Sequence, residues 1–177
     1  PKDTSKQDKE SVNKLLSHKF TRYIVYKLCA NFAKTELLSG VTTIRTVGGL
    51  SNIDSKIRDN INKGKLKGPR ILASNMALSV PNGHMAGVLA YEATDVDSAI
   101  KYIDKISETK PDLIKLMITG GVLDAKKKGE PGELKMSPEI INAASKRAHE
   151  LGYKVAAHVE SPLGVKLALE NGVDTIE

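Results

Sequence analysis

Residues 169–176, which read LENGVDTI, join a predicted helix directly to a predicted strand through Gly172. The same kind of junction occurs as LLSGVTTI at residues 37–44 and as HELGYKVA at residues 149–156. A glycine that ends a helix and leads at once into a strand is typical of βα units. Strands that alternate with helices favour a parallel sheet, so these junctions predict an α/β fold.

The apolar pattern between the junctions predicts the remaining elements. Helices are predicted over residues 19–39, 53–63, 95–106, 137–151 and 161–171, and strands over residues 41–47, 70–74, 112–118, 154–159 and 173–177. Residues 75–87, NMALSVPNGHMAG, are predicted to form a long loop. The helix-to-strand connections are therefore short, whereas the strand-to-helix connections are long and contain the glycine pairs and the NGH sequence.

Two architectures fit this alternation. In a (β/α)8 TIM barrel the long loops after the strands form the active face. A doubly wound open sheet is the alternative, but its first turn usually carries G-x-G-x-x-G, and residues 47–52 read VGGLSN instead. We therefore predict a single α/β domain over residues 1–177 that forms part of a (β/α)8 barrel, roughly strands 2 to 6 with the intervening helices. Residues 1–12 are polar and are expected to be frayed.

The charge, the aromatic content and the apolar runs of the sequence argue against a nucleic-acid-binding or membrane-spanning protein. The net charge is +6, but the lysines are scattered and aromatic residues make up only 4%, so we do not predict nucleic-acid binding. No apolar run approaches the roughly 20 residues of a membrane span.

Cys29 is the single cysteine, which excludes an internal disulfide and fits a reducing, cytoplasmic location. The chain begins with Pro1, which leaves secretion open, and a homo-oligomer is compatible with the sequence.

Lys115 lies inside the apolar strand DLIKLMI, four residues before Thr119-Gly120-Gly121. A lysine in such a strand either pairs with a carboxylate or is functional, and the strand pattern alone leaves both interpretations open. Burial lowers the pKa of a lysine and frees a nucleophilic amine. Such an amine forms a Schiff base with a carbonyl substrate, or captures carbon dioxide to give a carbamate that binds metals.

Two histidines are candidates for the same site. His158 lies at the end of the strand KVAAHV, one βα unit after Lys115, and imidazole is a common metal ligand. An isolated histidine is more often a hydrogen-bonded structural residue, and that interpretation stays open for His158. His84 lies in the loop PNGHMAG and is either a substrate contact or simply exposed. No P-loop, G-x-S-x-G, H-E-x-x-H or cysteine-pair zinc motif occurs, so no catalytic residue is assigned.

An ordered set of short motifs resembles a known family. SGVTTIRTVGG, GPRILAS, NGH, DLIKLMITGGV, KVAAHVES and NGVDTIE occur in this order from about residue 30 to the end of the chain. Each is weak alone, but together they resemble the metal-dependent amidohydrolases of the imidazolonepropionase-like and prolidase-like branch, which includes Xaa-Pro dipeptidases. The resemblance covers the central part of such a barrel.

The resemblance implies one or two divalent metals, usually zinc. In the family the ligands are an H-x-H on the first strand, a carboxylated lysine on the fourth, histidines on the fifth and sixth, and an aspartate on the eighth. The fourth-strand lysine matches Lys115, whose carboxylation requires carbon dioxide and whose carbamate would bridge the metals. The fifth-strand histidine matches His158, and the glycine-flanked His84 is implied to lie near the substrate.

The chain also departs from the family pattern. It contains no H-x-H, and it stops at Glu177, one residue before the sixth-strand histidine is expected. The eighth-strand aspartate is not present either, and Thr46 stands where relatives often carry aspartate. The chain alone is therefore expected to be inactive.

The function implied for the intact parent is hydrolysis of a C–N bond by metal-activated water. The substrate would be a small amide, such as an Xaa-Pro dipeptide or an acyl-amino acid. Two alternatives remain at this stage: a Schiff-base lyase or aldolase that uses Lys115, and a non-catalytic piece of a barrel that assembles with other segments. Borohydride trapping would separate the first alternative from hydrolysis.

Overall fold

The computed structural model describes residues 4–122, 125 and 131–177. The helices are α1 (Thr4–Ser17), α2 (Lys19–Leu38), α3 (Ile53–Asn62), α4 (Val96–Ser107), α5 (Pro138–Glu150) and α6 (Pro162–Glu170). The strands are β1 (Thr43–Arg45), β2 (Arg70–Leu72), β3 (Ala77–Ser79), β4 (Ala90–Glu92), β5 (Leu113–Met117), β6 (Lys154–His158) and β7 (Thr175–Ile176). None of the helices within these described ranges could span a lipid bilayer.

All pairings between these strands are parallel, as the alternation of helices and strands predicts. β1 pairs with β2, and a second sheet has the order β4-β3-β5-β6-β7. Asp112 links the two sheets: its amide donates to the Ala73 carbonyl at 2.7 Å, and its carboxylate accepts from the Ala73 amide at 2.8 Å. The strands therefore form one wall.

The wall is curved. The Arg45 guanidinium, at the end of β1, pairs with the carboxylate of Glu177, just after β7, although these strands lie far apart in the strand order. Such a contact requires the sheet to bend round so that both side chains face the same interior. The prediction of an α/β fold that forms part of a (β/α)8 barrel is confirmed.

The loop predicted over residues 75–87 is wrong in part, because β3 lies within it and β4 follows it. Asn75 has φ 57, so the chain turns sharply after β2 and then rejoins the sheet as β3. β3 pairs with β4 on one side and with β5 on the other. Strands of three residues interrupted by a turn are too short for an apolar alternation to mark them.

The N-terminal segment is helical from Thr4, where α1 begins. Residues 1–3, part of the segment expected to be frayed, lie outside the described part. Lysine, glutamine and glutamate are good helix formers, so a polar segment can be helical. Near the end of α1, Leu16 packs against the small core formed by α2, α3 and β2.

The large core lies between the strands and the helices. In β5, Ile114 and Leu116 are fully buried against residues of α4 and α5, such as Ile103 and Ile141. Because successive side chains of a strand point to opposite faces, Lys115 points into the barrel. Helices α5 and α6 begin as predicted, with Ser137 and Ser161 capping the helix and a proline in the first turn.

Candidate active site

Lys115 lies at the centre of β5, on the interior face of the wall. It is only 2% exposed, one of the most buried large side chains in the described structure. Burial lowers its pKa to about 8, while the charge of Glu177 acts to raise the pKa and that of Arg45 to lower it. A lysine with this pKa is an amine that loses its proton easily, as carbamate or Schiff-base formation requires.

His158 ends β6, opposite Met117 in the register of β5 and β6. Its side chain is 17% exposed, and Nε2 is buried with no hydrogen-bond partner among the described residues. Burial lowers the pKa of His158, the charges of His84 and Lys115 lower it further, and Glu160 acts to raise it. A hydrogen bond with the backbone of Gly120 also acts to raise it, and such a bond orients the ring.

His84 reaches the same place from the β3–β4 connection. Its ring stacks on that of His158, with ring centroids 4.3 Å apart and an interplanar angle of 16°. The Ser79 hydroxyl holds this loop by donating to the His84 carbonyl at 3.0 Å. The structure therefore brings two of the three predicted site residues into direct contact.

Gly121, the last glycine of the TGG sequence, explains how both rings fit. A Cβ at this position would lie 2.8 Å from Cε1 of His84 and 3.3 Å from Nε2 of His158. The first distance is shorter than real Cβ contacts allow. The glycine thus leaves the space that the imidazole pair occupies, a requirement of close approach that the sequence pattern alone did not identify.

Glu160 is a further residue at this site that sequence reasoning missed. Its Oε1 lies 3.5 Å from Nε2 of His158, beyond hydrogen-bond distance but close enough for its charge to act on the ring. Its amide donates to Oγ1 of Thr119 at 3.0 Å. The only signal in the sequence was its place two residues after His158, in the loop that follows the strand.

Arg45 and Glu177 form the other polar group near the predicted site. Besides pairing with each other, both lie beside the Thr175 hydroxyl, at 3.4 Å in each case. Both charges act on Lys115, which places this ion pair close to the buried amine. Sequence reasoning missed the pair because its two members are 132 residues apart in the chain.

The described residues contain no group of three or more His, Cys, Asp or Glu side chains arranged to hold a metal ion. What the structure does hold is a buried amine, an imidazole nitrogen without a partner and a second imidazole stacked on the first. His158 ends its strand, the His84 ring stacks on it, and Lys115 lies on the interior face of the neighbouring strand β5. Barrel enzymes place their active sites at this C-terminal end of the strands.

Solved structures with the same fold include several hydrolases. A putative prolidase from Bifidobacterium longum is 40% identical, with a TM-score of 0.70, and the match covers 81% of this chain and 34% of that one. An Xaa-Pro dipeptidase with methionine bound in its active site is 29% identical, with a TM-score of 0.77, and the match covers 90% of this chain and 41% of that one. An A. niger ochratoxinase, at 22% identity and a TM-score of 0.78, shows the fold alone, covering 92% of this chain and 41% of that one.

The chain thus spans between about a third and two fifths of the length of these proteins. A search of curated proteins gave no match. The sequence profile of the amidohydrolase family matches residues 5–177, nearly the whole chain. The resemblance predicted from the ordered motifs is confirmed: the chain belongs to the amidohydrolase family.

Proposed function

We propose that this chain supplies the central part of a metal-dependent hydrolase site that cleaves the C–N bond of a small amide. The observation that carries the proposal is the placement of Lys115 and His158 on neighbouring parallel strands, facing one interior. Both the prolidase and the Xaa-Pro dipeptidase that the chain resembles support an Xaa-Pro dipeptide as substrate, and an acyl-amino acid is the related class.

The residues present fit a divalent metal such as zinc. The unpartnered, buried Nε2 of His158 is a nitrogen ligand without another role, since an orphaned buried nitrogen is costly unless it binds something. Lys115, once its amine has taken up carbon dioxide and lost a proton, would offer carbamate oxygens to one or two metals. A metal held there would lower the pKa of a water molecule and polarise the scissile carbonyl.

The other residues of the chain have supporting roles in this proposal. His84, stacked on His158 and held by Ser79, would contact the substrate at the rim. The backbone of Gly120 orients the His158 ring. Arg45 and Glu177 fix β1 against the end of β7, which keeps the two sides of the interior at a constant separation.

The test uses the full-length protein that contains this chain. Lys115→Ala is expected to lose both bound zinc and hydrolysis of an Xaa-Pro dipeptide, because the buried ligand is gone. Lys101→Ala, on the exposed side of α4, is the matched control and should retain both. Unchanged zinc content and hydrolysis in Lys115→Ala would contradict the proposal.

The Schiff-base alternative has a separate outcome in the same protein. Borohydride added with a carbonyl substrate would label Lys115 covalently, and activity would survive chelation of the metal. The amidohydrolase membership does not favour this alternative, so we expect no labelling and loss of activity on chelation.

A further inference from the structure

We propose that Glu160 binds the free ammonium group of the substrate and so selects dipeptides with a free N-terminus over N-acylated substrates. This inference rests on the proposed function and narrows its substrate class. It starts from the position of the Glu160 carboxylate, 3.5 Å from Nε2 of His158, in the loop that follows β6.

The backbone of Glu160 is held in place from two sides. Its amide donates to Oγ1 of Thr119, a residue that is 0% exposed. On the other side Gly132, at φ +91, packs so closely that a Cβ on it would lie 2.4 Å from the Glu160 carbonyl oxygen. A residue fixed in this way presents its side chain at a defined position, which reduces the entropic cost of binding.

Within the described residues, the Glu160 carboxylate keeps its acceptor capacity. No hydrogen bond to it is found within the described ranges, and its distance from His158 exceeds that of a hydrogen bond. Its side chain is 28% exposed, so a ligand can reach it, whereas Lys115 is only 2% exposed. A partly desolvated carboxylate without a donor is a site for a cation.

The chemistry of the proposed substrates supplies such a cation. In an Xaa-Pro dipeptide the free ammonium is on the carbon next to the scissile carbonyl, so a carboxylate beside the reacting centre can reach it. Among the described residues, the side chains nearest Glu160 are the His158 and His84 rings, which do not attract an ammonium group, and the Glu177 carboxylate is already paired with Arg45. An N-acyl group has no charge to pair with Glu160, so the two substrate classes differ at this residue.

The test compares L-methionyl-L-proline with N-acetyl-L-methionyl-L-proline in the full-length, metal-loaded protein. For Glu160→Gln we expect kcat/KM for the free dipeptide to fall by about 10- to 100-fold, mainly through KM, as for loss of a charge-assisted contact. In the same variant, kcat/KM for the acetylated substrate should change by less than about 3-fold, since this substrate has no ammonium group. Glu170→Gln, which removes an exposed carboxylate on α6, is the matched control and should change neither.

Measurements of substrate binding and zinc content distinguish binding of the ammonium group by Glu160 from other roles of this residue. Calorimetry should show weaker binding of L-methionyl-L-proline to Glu160→Gln than to the wild type, with the same zinc content in both proteins. Loss of zinc would overturn the inference, because Glu160 would then be a metal ligand. An equal fall in kcat/KM for the free and the acetylated dipeptide would also overturn the inference, because Glu160 would then act through His158. If the wild type binds the dipeptide through Glu160 but does not hydrolyse it, the proposed function fails and this inference stands.

Discussion

The imidazole rings of His84 and His158 stack at a centroid distance of 4.3 Å, although 74 residues separate them in the sequence. His84 comes from the connection between β3 and β4, and His158 ends β6. The contact joins a rim loop to a barrel strand, so the position of one ring depends on the other. Gly121 lies against both rings and makes room for the pair.

The first prediction concerns Gly121. In Gly121→Ala the new methyl group would lie 2.8 Å from His84, so one ring must move. We expect the unfolding free energy to fall by about 1–3 kcal/mol, the usual cost of overpacking. We also expect hydrolysis by the full-length protein to fall, because the ring pair is displaced. Urea titration and steady-state kinetics measure the two effects.

The double variant Gly121→Ala with His84→Ala is the control for this mechanism. Removing the His84 ring removes the closest clash, so Gly121→Ala should cost clearly less stability in that background than in the wild type. Equal costs in the two backgrounds would show that the glycine is needed for a reason other than space for the rings.

The second prediction concerns the stability cost of Lys115. With a pKa of about 8, the buried Lys115 amine is mostly protonated at pH 7. Folding at this pH therefore has to remove a charged group from water, which costs free energy. Lys115→Met has a similar shape and no charge, so in the metal-free protein we expect the unfolding free energy to rise by about 1–3 kcal/mol. Chemical denaturation at pH 7 measures this difference.

Lys101→Met on the exposed side of α4 is the matched control, and its effect should stay within about 0.5 kcal/mol. A fall in stability for Lys115→Met would show that Lys115 has a compensating partner, which would contradict the view that a functional lysine is held here at the expense of stability.

The sequence predicted the large elements of the fold because their signals are local. The glycines that follow α2, α3, α5 and α6, the Ser-Pro starts of α5 and α6, and the apolar runs of β5 and β6 are all local features of the sequence. β3 was missed because it is three residues long and follows a sharp turn at Asn75. The turn exists because distant side chains hold Asn75, and such long-range contacts leave no periodic pattern.

The site divides in the same way. The placement of Lys115 and His158 on neighbouring strands could be predicted because each ends or interrupts an apolar strand, whereas their role as metal ligands stays a prediction. The stack with His84, the role of Gly121 and the approach of Glu160 depend on how loops from different βα units meet. The spacing of residues in the sequence does not predict these contacts between loops, so only the three-dimensional structure shows them.

The third prediction concerns Asn75, which is 1% exposed and has φ 57. Its Nδ2 donates to Oγ1 of Thr109 at 2.9 Å and to Oγ of Ser55 at 3.1 Å, and its Oδ1 accepts from the Ser55 amide at 3.1 Å. Asn75→Ala loses these bonds and places alanine in the left-handed region. We expect it to lower the unfolding free energy by about 2–4 kcal/mol, measured by urea titration.

Two further variants separate the causes. Asn75→Gly loses the same hydrogen bonds but tolerates the positive φ, so it should be more stable than Asn75→Ala by about 1 kcal/mol. Asn82→Ala is the matched control, since Asn82 has φ 59 but is exposed, and only the conformational cost applies there. A cost for Asn75→Ala no larger than that for Asn82→Ala would contradict a role for the buried bonds.

The last prediction is a pH dependence that arises at Asp174, at the opposite end of the strands from the proposed site. Burial acts to raise its pKa, but hydrogen bonds from Lys154, His149 and the Val155 amide outweigh this effect and lower the pKa to about 2. Oδ1 accepts from Lys154 at 2.7 Å, and Oδ2 accepts from the Val155 amide at 2.8 Å.

A carboxyl group whose pKa is lower in the folded state stabilises the protein fully above its unfolded pKa, and this stabilisation is lost as the pH falls. For Asp174 the loss should occur between about pH 4 and pH 2. Asp174→Asn should therefore be less stable than the wild type at pH 7, by about 1 kcal/mol, since Lys154 is 80% exposed and solvent screens the pair.

Urea titrations of the wild type and of Asp174→Asn from pH 7 down to about pH 2 test this sign. The difference in unfolding free energy should stay constant above about pH 4.5 and shrink below it, as the wild-type carboxylate takes up its proton. Asp97→Asn, at an exposed position in α4, is the matched control, because it removes one carboxylate without touching this cluster. A difference that grows as the pH falls would contradict the prediction, because it would mean that the protonated form of Asp174 is the one the fold favours.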